Sequence, residues 1–199
     1  EDATTESTDM TAPRPTSPRI QPINLDDVKD PELAETLAGA LTLDGRPLNI
    51  FGVLGHHPKL LKRFNLMGGF ILNKGLLPER ERELVILRIG WNAKAVYEFG
   101  QHTVIGLRCG LTDDEIAALT KAPDTHDWRA DDLALIAMAD ELAAGDCVSD
   151  VTWGALAARW NDAELVELLI VAGFYRLVSG FLNSAGVQLD PGVPGFPTA

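Results

Sequence analysis

The chain has 199 residues, 46% of them apolar, and its 17 basic against 29 acidic residues give a net charge of −12. That length supports one domain with a real core and is short for two. The acidity repels phosphate backbones and anionic lipid, and with no basic stripe to offset it, it argues against nucleic-acid and membrane-surface binding.

In chain order, Glu1 to Pro22 is acidic and rich in Thr, Ser and Pro, without a basic start or an apolar centre. This reads as a flexible tail (1–22) with no signal peptide, Met10 being a possible natural start. A single helical domain is expected over 23–190. Asp30 to Leu37 suggests a short helix, and a Gly45-Arg46-Pro47 loop leads into Asn49 to Leu54. His57-Pro58 opens a further helix that closes at Gly68-Gly69 or runs on to Leu72. Pro78 followed by acidic residues starts the next one, since proline lacks only a donor that the first turn leaves unused. Tyr97 to His102 belongs to the helix after it. Thr112 and Glu115 form a capping box for another, and helices follow over 131–143, 151–160 and from Asn161 toward Asn183. The phrase of turn, acidic residues and apolar helix occurs at 111–119 and again at 160–169, a degenerate internal repeat. No stretch alternates as a sheet strand does, so the expectation is an all-α fold of about eight helices. No apolar run approaches the length needed to cross a bilayer. Pro191, Pro194 and Pro197 make 191–199 an irregular C-terminal tail.

Three ionisable residues interrupt this apolar pattern. Glu83 shares a stripe with Ile86, Leu87 and Gly90, its i+3, i+4 and i+7 neighbours; Glu98 and His102 are i and i+4 on the next helix, aligned with Ile105 and Cys109. Charges placed in apolar surroundings are expensive and mark candidate sites, although a buried Glu–His pair can also serve packing alone. Arg80, Arg82 and Arg88 flank the cluster and are candidates to receive an anion, with solvated surface arginines the plainer reading. Tyr97 and Trp91 are candidate lining residues that packing alone would also explain. His56, His57 and His126 read as capping or solvated. The two cysteines, Cys109 and Cys147, form no paired motif, which suits a reduced, cytoplasmic protein.

Leu77-Pro78 with Arg82 to Arg88, Tyr97-Glu98-Phe99-Gly100-Gln101-His102, and Gly110 to Ile116 together resemble the carboxymuconolactone decarboxylase family, within the alkylhydroperoxidase D-like superfamily. The resemblance is specific over about 47–120 and looser over 128–186, where Phe174-Tyr175 and Asn183 resemble positions in a second helical unit. It implies an alkylhydroperoxidase D-like helical bundle that assembles as a dimer, trimer or hexamer. The peroxidase branch carries a glutamate, a Cys-x-x-Cys pair and a histidine. Glu83 and His102 fall on the outer positions, but Ala95 and Glu98 stand where the cysteines would be, so thiol peroxidase chemistry is not expected.

What remains suits acid–base chemistry. The decarboxylase branch implies loss of carbon dioxide from a carboxylated unsaturated lactone with no metal and no organic cofactor. His102 is the candidate proton donor or shuttle, with Glu98 and Glu83 as its catalytic partners; Tyr97, Trp91 and Arg88 are the candidate substrate-binding residues. The expected function is a carbon–carbon lyase acting on a small unsaturated or carbonyl-bearing acid or lactone, 4-carboxymuconolactone-like. Two alternatives are a non-catalytic small-molecule-binding oligomer and a metal-dependent enzyme ligated by Glu83, Glu98 and His102.

Overall fold

Helices supply nearly all the regular structure of the computed structural model, which describes residues 14–40, 42–43 and 45–198. Among them are nine α-helices: α1 (Pro31–Ala38), α2 (Asn49–Leu54), α3 (Pro58–Asn73), α4 (Glu79–Asn92), α5 (Val96–Arg108), α6 (Asp113–Ala118), α7 (Ala130–Gly145), α8 (Asp150–Ala157) and α9 (Asp162–Ala185). The only pairing of extended backbone among the described residues is a two-residue hairpin, Thr42–Leu43 with Arg46–Pro47, turned at Gly45 with φ 75°. The expected boundaries hold within a residue or two, except that α8 stops at Ala157 rather than Trp160. α3 runs through Gly68-Gly69, because Leu61, Phe64 and Ile71 continue its packed stripe on both sides of the glycines.

The capping box at Thr112 is present in both directions, Glu115 N–H donating to Oγ1 and Thr112 N–H to Oε2. The same device recurs at Asn161 and Glu164 at the start of α9, so the repeated phrase opens a helix in each half of the fold.

α4 is the hub. It packs on α5, α7 and α9, and every residue from Glu81 to Gly90 is buried. A helix covered on all sides has no solvent face for its charges, so each must be neutralised in place. Arg88 makes a two-pronged ion pair with Asp140 (Nε–Oδ1 2.6 Å, Nη2–Oδ2 2.7 Å) and donates to the carbonyls of Leu119 and Lys121. Arg80 is held by Asp132 and Glu115, and Glu81 by Arg129. None of the three flanking arginines is a solvated surface residue.

α9 revises one expectation. By length and composition it is apolar enough to cross a membrane, but half of its most apolar window is buried inside the fold, where Leu165, Leu168, Val171, Ala172 and Tyr175 face the core.

Segments near both ends of the described residues are tied down. Residues 1–13 of the expected flexible tail lie outside the described residues, but Arg19 and Ile20 donate backbone hydrogen bonds to Ala185 and Ile23 to Gly52. At the other end, Asp190 and Phe196 dock the segment expected to be an irregular tail onto α4 and α5: Phe196 packs edge-on against Trp91 and Phe99 at 5.1 and 5.2 Å.

Candidate active site

A cavity of about 530 Å³ opens between α2, α3, α5 and α9. Its walls are mostly hydrocarbon and aromatic rings, with Phe64 and Phe174 in contact at 5.2 Å between ring centres. Glu98 and His102 lie in its wall, while Glu83 stands behind them, fully buried.

The three groups form a continuous chain. His102 Nδ1 donates to Glu83 Oε2 at 2.6 Å, and its Nε2 lies 3.1 Å from Glu98 Oε1. Glu83 Oε1 accepts from Arg82 Nε at 2.9 Å, and Arg82 Nη1 donates to the carbonyl of Leu72. Helical geometry sets up the line: Glu98 and His102 are one turn apart on α5, and Glu83 reaches across from α4. Gly106 helps this approach, since a Cβ there would stand 3.3 Å from Leu87 on α4 and 3.1 Å from Leu111.

Electrostatics fix the protonation of the line. Burial pulls the His102 pKa down, but the charge and hydrogen bond of Glu83, with those of Glu98, more than offset it and raise the value to about 10. His102 is therefore an imidazolium at neutral pH. For Glu83, burial pushes upward and is outweighed by His102 and Arg82, so its carboxyl stays below the usual range. Two carboxylates and two cations balance.

The metal alternative does not fit this arrangement. Glu83 and Glu98 engage opposite nitrogens of one ring, so no single ion can take His102 and both carboxylates, and among the described residues no other group of three metal-ligating side chains converges. Cys109 lines the cavity, but burial and the charges of Glu83 and Glu79 push its thiol up, away from thiolate character. Cys147 is exposed and no disulfide joins the two.

Of the expected substrate-binding residues, Tyr97 lines the cavity with its phenol tethered: it donates to Asp190 Oδ2 at 2.5 Å and accepts from the Ile50 N–H. Trp91 and Arg88 do not reach the cavity. Trp91 is occupied by Phe196 and by Lys94, whose ammonium lies 3.6 Å from its ring centre, and Arg88 is spent on Asp140 on the α7 side of the hub helix. Of the two arginines in the lining, Arg82 is spent on Glu83, while Arg108 is exposed at the rim. His56 bonds the Gln21 carbonyl, and His126 stacks near Trp128.

Sequence reasoning left Tyr175 out of the site. It comes from α9, is 4% exposed, lines the cavity, and sets its ring edge-on to His102 at 4.9 Å. Burial first, then the charges of Glu98 and Glu83, raise its phenol well above the ordinary value, so it is neutral. Only the looser match of Phe174-Tyr175 to a second helical unit hinted at it.

Residues 58–141 match the model of the carboxymuconolactone decarboxylase family, and no curated protein matches the chain significantly. Among solved structures, an uncharacterized peroxidase-related protein from Ralstonia eutropha, described as an alkylhydroperoxidase AhpD core, is similar with a TM-score of 0.75 at 16% identity, over 91% of this chain and 95% of that one. The debrominase Bmp8, as a cysteine-to-alanine variant with 2,3,4-tribromopyrrole, gives 0.74 at 16% identity, over 88% and 94%. A peroxidase-related protein from Silicibacter gives 0.68 at 14% identity, over 74% and 79%. At such identities the likeness establishes the fold.

Proposed function

We propose that this chain, whose residues 58–141 match the carboxymuconolactone decarboxylase family model and whose fold is that of an alkylhydroperoxidase AhpD core, is a cofactor-independent proton-transfer enzyme of carbon–carbon lyase type. Its substrate would be a small unsaturated or carbonyl-bearing acid or lactone, 4-carboxymuconolactone-like. The observation that carries this reading is a cavity-facing carboxylate, Glu98, backed by an imidazolium that a second, fully buried carboxylate holds in place.

In such a reaction the bond to the departing carboxylate breaks and its electron pair enters the conjugated system, leaving a dienolate as carbon dioxide departs. A ring carbon must then take up a proton. His102 stores that proton, and Glu98 accepts it across the 3.1 Å contact and hands it to carbon. Glu83 and Arg82 keep the imidazole fixed in orientation through the exchange. As His102 is charged at rest, it starts the cycle as an acid rather than a base.

Partners are a small molecule and further copies of the chain. Leu66 and Phe70 on α3, and Val166, Ile170 and Leu177 on α9, are exposed, which supports a homo-oligomer. Unpaired cysteines support a cytoplasmic location.

The half-reaction can be tested without the native substrate. 2(5H)-Furanone, a neutral unsaturated lactone, exchanges its γ-hydrogen for deuterium through a dienolate. In D2O the protein should catalyse this exchange, followed by proton NMR, and Glu98→Gln should abolish it in a folded protein. A full rate in Glu98→Gln, or a wild-type protein inert toward furanone and toward a set of carboxylated lactones and keto acids, overturns the reading. Binding of these compounds without turnover would replace it with a small-molecule-binding role.

A further inference from the structure

We propose that the Tyr175 hydroxyl is the electrophilic donor of this site, hydrogen-bonding the substrate's carbonyl oxygen as it becomes an enolate oxygen while Glu98 exchanges the proton at carbon. The assignment rests on the proton-transfer reading above and narrows its substrate class to compounds whose reacting carbon is conjugated with a carbonyl.

Three observations meet at this side chain. First, Tyr175 is nine-tenths buried or more, yet it lies in the cavity wall beside Glu98 and His102. Second, its hydroxyl has no hydrogen-bond partner among the described residues, nor is it sealed away with the orphaned buried polar atoms, which are those of Asn65, Trp128 and Ser179. A buried phenol normally finds a partner, so this one is kept for something that enters the cavity. Third, its ring is held by contacts on both sides, edge-on to His102 at 4.9 Å and at right angles to Phe174 at 5.5 Å. The donor is thus fixed before any ligand arrives, which is what makes a hydrogen bond to a developing oxyanion effective.

Tyr97, the other phenol in the wall, cannot take this role. Its hydroxyl proton is committed to Asp190 at 2.5 Å. The two tyrosines divide the work: one is structural, the other free. Proton balance is also satisfied. In the furanone exchange the γ-hydrogen goes to Glu98, the electron pair moves through the ring to the carbonyl oxygen, Tyr175 stabilises the resulting charge without giving up its proton, and Glu98 returns a deuteron from solvent.

The experiment compares Tyr175→Phe and 3-fluorotyrosine at position 175 with the wild-type protein in the furanone exchange. Loss of one oxyanion donor is expected to lower kcat on the order of 10²-fold with little change in KM. The more acidic fluorophenol keeps the ring and the hydroxyl and should raise the rate. A wild-type rate in Tyr175→Phe overturns the assignment while leaving the proton-transfer reading intact. Should Tyr175→Phe fail to fold, a fluorotyrosine protein whose rate is unchanged from wild type overturns it, and a raised rate supports it. A wild-type protein inert toward furanone and the other lactones and acids removes the reading itself, a distinct outcome.

Discussion

Burial alone would leave His102 neutral; Glu83 and Glu98 reverse that and carry its pKa to about 10. An unfolded chain releases this proton near 6.5, so the group's stabilising contribution is complete below pH 6.5, shrinks as pH rises and is gone above about 10. Glu83 has the opposite sign: its lowered pKa contributes stability above 4.5 that is lost as pH falls through its folded value. Thermal melts of the wild-type protein should therefore show the melting temperature falling between pH 6.5 and 10, and His102→Gln should remove this part of the slope. A slope unchanged in the variant would mean that the imidazole is not held as an imidazolium. The residues of this line were legible in the sequence because charge at core-facing helical positions is conspicuous. Tyr175 was not, since a tyrosine on an apolar stripe looks the same whether its hydroxyl is committed or free.

Two helices far apart in sequence, α5 and α9, carry the cavity-facing Glu98, His102 and Tyr175, and the peptide after α9 fastens one of them. Gly100 on α5 has no room for a methyl group: a Cβ there would stand 2.1 Å from the Pro194 carbonyl oxygen and 3.1 Å from the Leu189 and Val193 side chains. Gly100→Ala should cost about 1–3 kcal/mol, as overpacking does, and should raise amide hydrogen exchange over 189–196 more than elsewhere. Equal protection there in both proteins would show that the segment is not clamped to α5. This docking was hidden in the sequence, where three prolines in nine residues look like an unstructured end. Proline removes donors and breaks helices, but it does not prevent Phe196 from finding an aromatic slot. Helix starts were much easier to read, because their signals, Pro31, Pro58, Thr112 and Asn161, act within one turn.

At the scale of the molecule, a net charge of −12 coexists with exposed leucines and isoleucines on α3 and α9. An isolated 21.5 kDa chain would leave these faces in water. Sedimentation velocity should find a larger particle, and Leu66→Asp with Ile170→Asp should reduce it to the monomer; a wild-type protein that sediments as a monomer would leave the faces without an assembly role. All-helical architecture followed from the sequence because helical periodicity is local, whereas α9 looked like one more amphipathic helix until its core packing appeared. The Asp190 carboxylate, which ties Tyr97, Gln101 and the Asn49 amide together, also has a bearing on biosynthesis. It leaves the ribosome 93 residues after Tyr97, so a nascent chain carries a cavity wall with its strut missing, and the pocket is finished only once this segment has emerged.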